Sequence, residues 1–364
     1  MKINHKTVFC PIISKHDNGG GIKSTIQLLN GLSKRNKNIT VLMRKDATFI
    51  DKFEKEIQIY FFEVEPIISI KKPIHFFKLS KWFNTFLINH DLIDAIIFCS
   101  DRPALMLLNF YAKKYPNIVY VSRGNNYNNF SAKLLVKFVM PYIKKIIAIS
   151  QHQLNVFNES IKTPIESKVI FNGLVVPEET KKPFQNEIIK IAVVGGICYN
   201  KNQKQAIELI HHLGNKYRLL LFGNPFTDID REYLKQLESF ISEHSIDNVD
   251  FMGYEANMDI LFSQIDILLS ASLSEGFGRT IVEGMLHGIP VIANQLGGAP
   301  AELINNNVDG MLYDGTTENL INCVNNLAFN AEHRNLIIKN ARYNAQNSFS
   351  DKKMIDEYIS FLNL

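Results

Sequence analysis

Short β-branched and aromatic runs alternate with longer segments of helical periodicity from one end of the chain to the other. The first half offers "TVFCPII", "ITVLMR", "IQIYFFEV", "AIIFCS", "NIVYVS", "KIIAIS" and "KVIFNG". The second half offers "IIKIAVVGG", "YRLLLFG", "VDFMGY", "IDILLSAS", "IPVIANQ" and "GMLYDG". These runs are apolar at nearly every position, which predicts strands buried on both faces, with amphipathic helices covering them. The runs form two sets, so the pattern predicts an α/β chain of two doubly wound, Rossmann-like parallel-sheet domains facing a central cleft. The charged, proline-bearing "VVPEETKKPFQNE" lies between the sets and reads as a linker. The expected division is 1–173, a linker at 174–187, a second domain at 188–345, and a C-terminal helix at 346–364 that packs back toward the first domain.

Ligands of open α/β sheets collect beyond the carboxyl ends of the strands. Three loops in that position are unusual: "SKHDNGGGIKST", "GGICYNKNQK" and "SLSEGFGRT". In the first, Gly19, Gly20 and Gly21 precede a helix expected to begin near Ile22, an arrangement that lets backbone amides approach an anion. It is neither a P-loop nor a dinucleotide fingerprint, because Ile22 separates Gly21 from Lys23 and no G-x-G-x-x-G occurs. A tight strand-to-helix turn explains the glycines equally well. The second loop brings Gly196, Lys201 and Lys204 to the matching position, where lysines commonly just meet solvent.

The third loop carries two acids eight positions apart, Glu275 and Glu283, in "SEGFGRTIVEG". A helix starting near Arg279 and Thr280 puts Glu283 about one turn in and leaves Glu275 in the loop, with the amides of Phe277, Gly278, Arg279 and Thr280 between them. A phosphate at that helix start has hydroxyl-bearing groups on either side within reach of one carboxylate each, the layout of a nucleotide sugar. The segment "SEGFGRTIVEGMLHGIPVIANQLGGAPAELINNNVDGMLY" resembles the E-x7-E region of retaining GT-B glycosyltransferases of family 4 (group 1). "NGGGIKSTIQLLNGLSKRNKNITVL", "KIIAISQ", "VIFNGL" and "VVGGICYNKNQ" resemble further parts of that family in the expected order.

The resemblance implies a GT-B fold and a UDP- or GDP-sugar donor held mainly by the second domain, with the acceptor at the first. By the same resemblance Glu275 binds donor-sugar hydroxyls and Glu283 the ribose. The Phe277 and Gly278 amides contact the sugar, Thr280 and Ile281 lie beside the diphosphate, Lys201 binds phosphate, and Gly20 and Gly21 close over the diphosphate, with Gly276 and Arg279 as further donor-binding candidates. Asn172 and Gly173 match a hinge motif, and Tyr254 is expected near the base. The chain departs from the family at Gly196, where an arginine is usual, and at Arg123, which stands about where a donor-touching histidine is common. Arg279, Lys204 or Arg123 are the candidates to replace the missing cation. A rim salt bridge is the simpler role for Arg123.

The implied reaction is retaining and front-face: the leaving phosphate oxygen accepts the acceptor's proton, and Glu275, Lys201 and Arg123 are the residues expected to carry the chemistry. Paired acids elsewhere serve as nucleophile and proton donor, a role the resemblance argues against here. No cofactor or metal is expected, since "DID" at Asp228–Asp230 precedes a helix and reads as capping. Basic, aromatic-rich stretches at 71–83 and 133–146 suggest a glycan or lipid-linked acceptor and an anionic membrane surface, with Lys71, Lys72, Lys78, Lys81, Trp82 and His16 as candidates. Ordinary amphipathic helices explain the same stretches.

Net charge is only +4 in 364 residues, too little to suggest nucleic acid. The four cysteines, Cys10, Cys99, Cys198 and Cys323, share no C-x-x-C spacing, which argues against a disulfide framework and for a reducing cytoplasm. No run is long enough to span a bilayer, so the expected place is cytoplasmic, peripheral on the inner face of the plasma membrane. The function expected is sugar transfer in bacterial surface polysaccharide or lipopolysaccharide synthesis. The alternatives are a GT-B epimerase or phosphorylase and, outside enzymes, a catalytically reduced donor-binding or partner subunit.

Overall fold

The computed structural model describes residues 7–16, 19–64, 73–89, 93–99, 117–123, 140–160, 164–178, 183–184 and 187–364. The chain divides into two compact units, Met1–Leu174 with Asp351–Leu364, and Val175–Ser350. Each is built on one sheet, and every pairing between its strands is parallel.

In the first unit the strands are β1 (Thr7–Ile12), β2 (Asn38–Met43), β3 (Gln58–Phe61), β4 (Ile93–Phe98), β5 (Asn117–Ser122), β6 (Lys145–Ala148) and β7 (Glu166–Val169), in the order β3-β2-β1-β4-β5-β6-β7. In the second they are β8 (Ile189–Val194), β9 (Tyr217–Phe222), β10 (Val249–Gly253), β11 (Ile267–Ser270), β12 (Val291–Asn294) and β13 (Met311–Tyr313), in the order β10-β9-β8-β11-β12-β13. Both orders reverse direction once, between β1 and β4 and between β8 and β11. Such switch points are where open α/β sheets bind ligands. Every strand expected from the apolar runs is present, because residues such as Phe98, Val121, Leu219 and Leu269 are covered on both faces.

One core packs Phe9, Phe83, Phe98, Tyr120 and Phe157 beneath the first sheet, and another packs Ile191, Leu219, Ile267, Tyr313 and Val324 beneath the second. Of the stretch 174–187, Leu174 belongs to the first unit, while Pro177 and Phe184 are held within the second. Phe184 lies under the Arg334 guanidinium at 4.0 Å, Pro177 accepts from Arg342, and the buried Asp266 accepts from the amides of Phe184 and Lys190. The last helix, Asp351–Leu362, belongs to the first unit, where Ile355, Tyr358 and Leu362 are buried.

The first helix spans Gly20–Lys34, so Gly20 and Gly21 form its first turn and do not precede it. Among the described residues no helix is long and apolar enough to cross a membrane.

Candidate functional site

Three loops of the second unit converge on Glu275. The loop after β8 makes a short turn at Tyr199–Lys201 and enters the helix Gln203–Leu213 through Asn202, whose φ is +51°. Lys201 pairs with Glu275 Oε1, and Ser272 Oγ donates to the same oxygen at 2.8 Å. Asn200 ties the two loops together, donating to the Ser274 carbonyl at 2.9 Å and accepting from the Leu273 amide at 2.8 Å. The loop after β12 fixes Glu275 from the other side: the Glu275 amide donates to Gly297 at 2.7 Å and the Ala299 amide donates to Glu275 at 3.2 Å. A Cβ on Gly297 would lie 2.7 Å from the Ser272 carbonyl, so that approach requires glycine. The ion pair therefore stands at the carboxyl ends of β8 and β11, over the reversal of strand order.

The helix Arg279–His287 begins at Gly278, whose φ of +87° favours glycine. Its first-turn amides point out of the helix start, where they favour an anion. Glu283 lies one turn in, buried, and accepts from Arg279 Nε at 2.8 Å. The Phe277 ring is buried and meets Phe349 edge-on at 6.0 Å, so only its backbone is offered to the site. Ile281 is fully buried, Gly276 and Thr280 are half-buried, and Tyr254 is exposed after β10. At the family's usual arginine position, a Cβ on Gly196 would meet the Phe226 ring at 2.8 Å. Lys204 does not join this cluster: its ammonium sits 5.5 Å over Phe240 and 3.8 Å from Glu208.

Asn200, Ser272 and Gly297 escaped the sequence reading. Their signal was present only as a polar or glycine residue shortly after a strand, Asn200 and Ser272 in loops already singled out and Gly297 in the loop after β12. The "DID" stretch is a helix cap: Thr227 accepts from the Asp230 amide and Asp230 accepts from the Thr227 amide. His287 Nδ1 donates to the Glu283 carbonyl at 2.7 Å and its Nε2 lies 3.0 Å from Asp259 Oδ1, a structural position.

In the first unit, Arg123 Nη1 reaches the Gly21 carbonyl and Thr25 Oγ1, the latter at 3.0 Å, and its guanidinium also hydrogen-bonds the buried Tyr358. His16 is exposed, 3.3 Å from Thr48 Oγ1. Of the membrane candidates, Lys78 and Lys81 are exposed on the helix Pro73–Ile88. Trp82 packs against the first core, stacks on Phe86 at 5.4 Å and donates to Glu63 at 2.9 Å. Lys145, in the second basic stretch, caps the last helix by donating to the Phe361 carbonyl at 2.6 Å. Lys71, Lys72 and 133–139 lie outside the described residues.

Residues 177–344 match the family described as glycosyl transferases group 1. The match falls within the second unit. A solved structure of Anabaena HepE in complex with UDP and glucose is 19% identical with a TM-score of 0.82, covering 99% of this chain and 100% of that one. The two-sheet architecture is that of GT-B glycosyltransferase structures. The capsular polysaccharide biosynthesis glycosyltransferase CapM of Staphylococcus aureus is 21% identical over 94% of this chain and 95% of its own. The N-acetyl-alpha-D-glucosaminyl L-malate synthase of Bacillus anthracis is 23% identical over 62% of this chain and 60% of its own. Against two of the curated relatives the chain spans 51% and 60% of their length.

Proposed function

We propose that the chain is a retaining glycosyltransferase that moves a sugar from a nucleotide-sugar donor to a glycan or lipid-linked acceptor in bacterial surface polysaccharide or lipopolysaccharide synthesis. One observation carries the reading: Lys201 and Glu275 meet over the switch point of the second sheet, at the start of the helix that holds Glu283. Both hydrogen-bonded partners of the Glu275 side chain share Oε1, which leaves Oε2 to accept a donor-sugar hydroxyl. Lys201 and the amides of Gly278, Arg279 and Thr280 take the diphosphate, Glu283 the ribose and Tyr254 the base. Gly20, Gly21 and Arg123 act on the diphosphate or an acidic acceptor group from the first unit.

As the glycosidic bond breaks, negative charge grows on the leaving phosphate oxygen. Lys201 and the fixed amides stabilise it, and removal of one such donor costs about 2.7–4 kcal/mol of transition-state stabilisation. The acceptor oxygen bonds to the anomeric carbon on the same face and its proton passes to the leaving oxygen. The chemistry proposed requires no metal.

For the acceptor side we assign the helix Pro73–Ile88, where Ile74 is 69% and Phe77 57% exposed beside exposed Lys78 and Lys81. Such a surface suits an anionic lipid headgroup on the inner face of the plasma membrane. Sedimentation with anionic vesicles at low salt should capture the protein, and a protein left in the supernatant removes this assignment.

Thermal melts against UDP-, GDP- and ADP-sugars identify the donor, since a ligand of the folded state raises Tm. The matching donor should then release nucleoside diphosphate in the presence of acceptor. Binding without release would favour the donor-binding subunit instead, and absence of binding by any nucleotide sugar would overturn the proposal.

A further inference from the structure

The first sheet reverses its strand order between β1 and β4, and two of the four cysteines stand there. Cys10 lies in β1, and Cys99 directly follows β4. The two strands pair in parallel with Val8 opposite Ala95 and Phe9 opposite Ile96. Alternation along the strands therefore puts Cys10 and Cys99 on the face opposite Phe9, Ile96 and Phe98, which belong to the core beneath the sheet. On that face the two thiols are hydrogen-bonded to one another. The surroundings are those of a reactive thiol: Thr25 hydrogen-bonds Cys99, and the Arg123 guanidinium faces both sulfurs. Among the described residues, Tyr358, from the last helix, is the other titratable group facing the pair, and it is buried with its hydroxyl hydrogen-bonded to Arg123. Cys10 is fully buried and Cys99 half-buried, so an oxidant meets Cys99 first.

We propose that Cys10 and Cys99 form a redox-active thiol pair, a modification site at the switch point of the first sheet that a peroxide converts to a disulfide. The site is independent of the transferase reading and needs no sugar to be tested. The Cys99 thiolate attacks the peroxide O–O bond, takes one oxygen as a sulfenic acid and releases the other as hydroxide, which is protonated to water. The Cys10 sulfur then attacks the Cys99 sulfur. The S–S bond forms, the S–O bond breaks, and the departing hydroxide leaves with the Cys10 proton as a second water. Two thiols lose two electrons, and one peroxide becomes two waters.

The electrostatics fit this division of labour. The hydrogen bond from Cys10, with the Arg123 charge and the Thr25 hydroxyl, lowers the Cys99 thiol to about 6, while the same pairing and burial raise Cys10. Cys99 is thus the attacking sulfur and Cys10 the resolving one. The larger thiolate fraction of Cys99 speeds its attack, and a lower intrinsic nucleophilicity offsets part of that gain.

The test treats the full-length protein with hydrogen peroxide near neutral pH, blocks remaining thiols, digests without reduction and identifies linked peptides by mass spectrometry. A peptide joining Cys10 to Cys99 should accumulate and disappear with dithiothreitol. In a Cys10→Ser protein, Cys99 should be trapped by dimedone as the sulfenic acid. Iodoacetamide labelling of Cys99 should rise through a midpoint near pH 6 and precede that of Cys198, which is likewise half-buried. The proposal is overturned if wild-type Cys198 oxidises before Cys99, or if Cys99 oxidises without joining Cys10.

Discussion

Glu275 is the residue on which the site turns, since its side chain is held by Lys201 of the loop after β8 and by Ser272, and its amide and carbonyl by the loop after β12. Glu275→Gln keeps the shape and removes the charge that orients Lys201. We expect kcat/KM to fall about 100-fold or more, read as donor-dependent release of nucleoside diphosphate, with circular dichroism unchanged. Unaltered turnover would rule Glu275 out of the donor site. Gly196 gives the opposite experiment. A Cβ there crowds the Phe226 ring, which is 59% exposed and can swing aside, and meets the Asn224 carbonyl at an ordinary 3.6 Å. Gly196→Arg should therefore change stability by no more than about 0.5 kcal/mol, as for ordinary surface positions. It should tighten UDP binding roughly tenfold, more at low salt, because a charge-assisted hydrogen bond to phosphate is worth about 1.5–3 kcal/mol. Calorimetric titration showing equal affinity would place the diphosphate elsewhere. Gly223 has no such freedom: a Cβ there would lie 1.9 Å from the Gly195 carbonyl, where only backbone movement can relieve it.

At the scale of elements, the helix Asp228–Glu243 depends on a reciprocal cap between Thr227 and Asp230. Thr227→Ala removes the acceptor for the Asp230 amide and should cost about 1 kcal/mol, measurable as a lowered denaturation midpoint with an unchanged slope. That cap was legible in the sequence because its partners are three residues apart. The strands were legible for a related reason: burial on both faces demands apolar residues at every position, and no distant partner need be known. Glu275 and Glu283 were legible as a spaced motif. What sequence could not show was contact at long separation. Trp82 reads as an interfacial residue, with nothing in its pattern to show that Glu63 receives its N–H and that Phe62 and Phe86 pack on its ring. Lys145 reads as a solvent or lipid cation until the Phe361 carbonyl, far along the chain, accepts its hydrogen bond. Cys10 and Cys99 share no motif because strand order, not spacing, makes them neighbours.

At the scale of the whole chain, the two covalent crossings between the units fall side by side: the Asp351 amide donates to the Leu174 carbonyl at 3.0 Å, and the Gly173 amide to Met354 Sδ at 3.1 Å. The final helix thereby returns to the first unit, where it lies along Gly20–Lys34 and carries Tyr358 to Arg123. Gly31 sets how closely the two helices approach, since a Cβ there would lie 2.0 Å from Ile355 Cδ1. Gly31→Ala poses two effects against each other. Alanine in a helix interior gains about 1 kcal/mol over glycine. Overpacking a buried contact costs about 1–3 kcal/mol, and Ile355 is only 5% exposed, with little room to turn. The clash should win, so Gly31→Ala lowers stability despite its better helix propensity. Ile355→Ala alone should cost about 2–5 kcal/mol as a cavity. In the double variant the new methyl enters that cavity, and the two losses should fall short of their sum by at least about 1 kcal/mol. Denaturant melts of the four proteins measure this coupling, and hydrogen exchange should localise the single-variant losses to Gly20–Lys34 and Asp351–Leu362 while sparing Arg279–His287. Strict additivity would mean that the last helix is not held where Gly31 admits it.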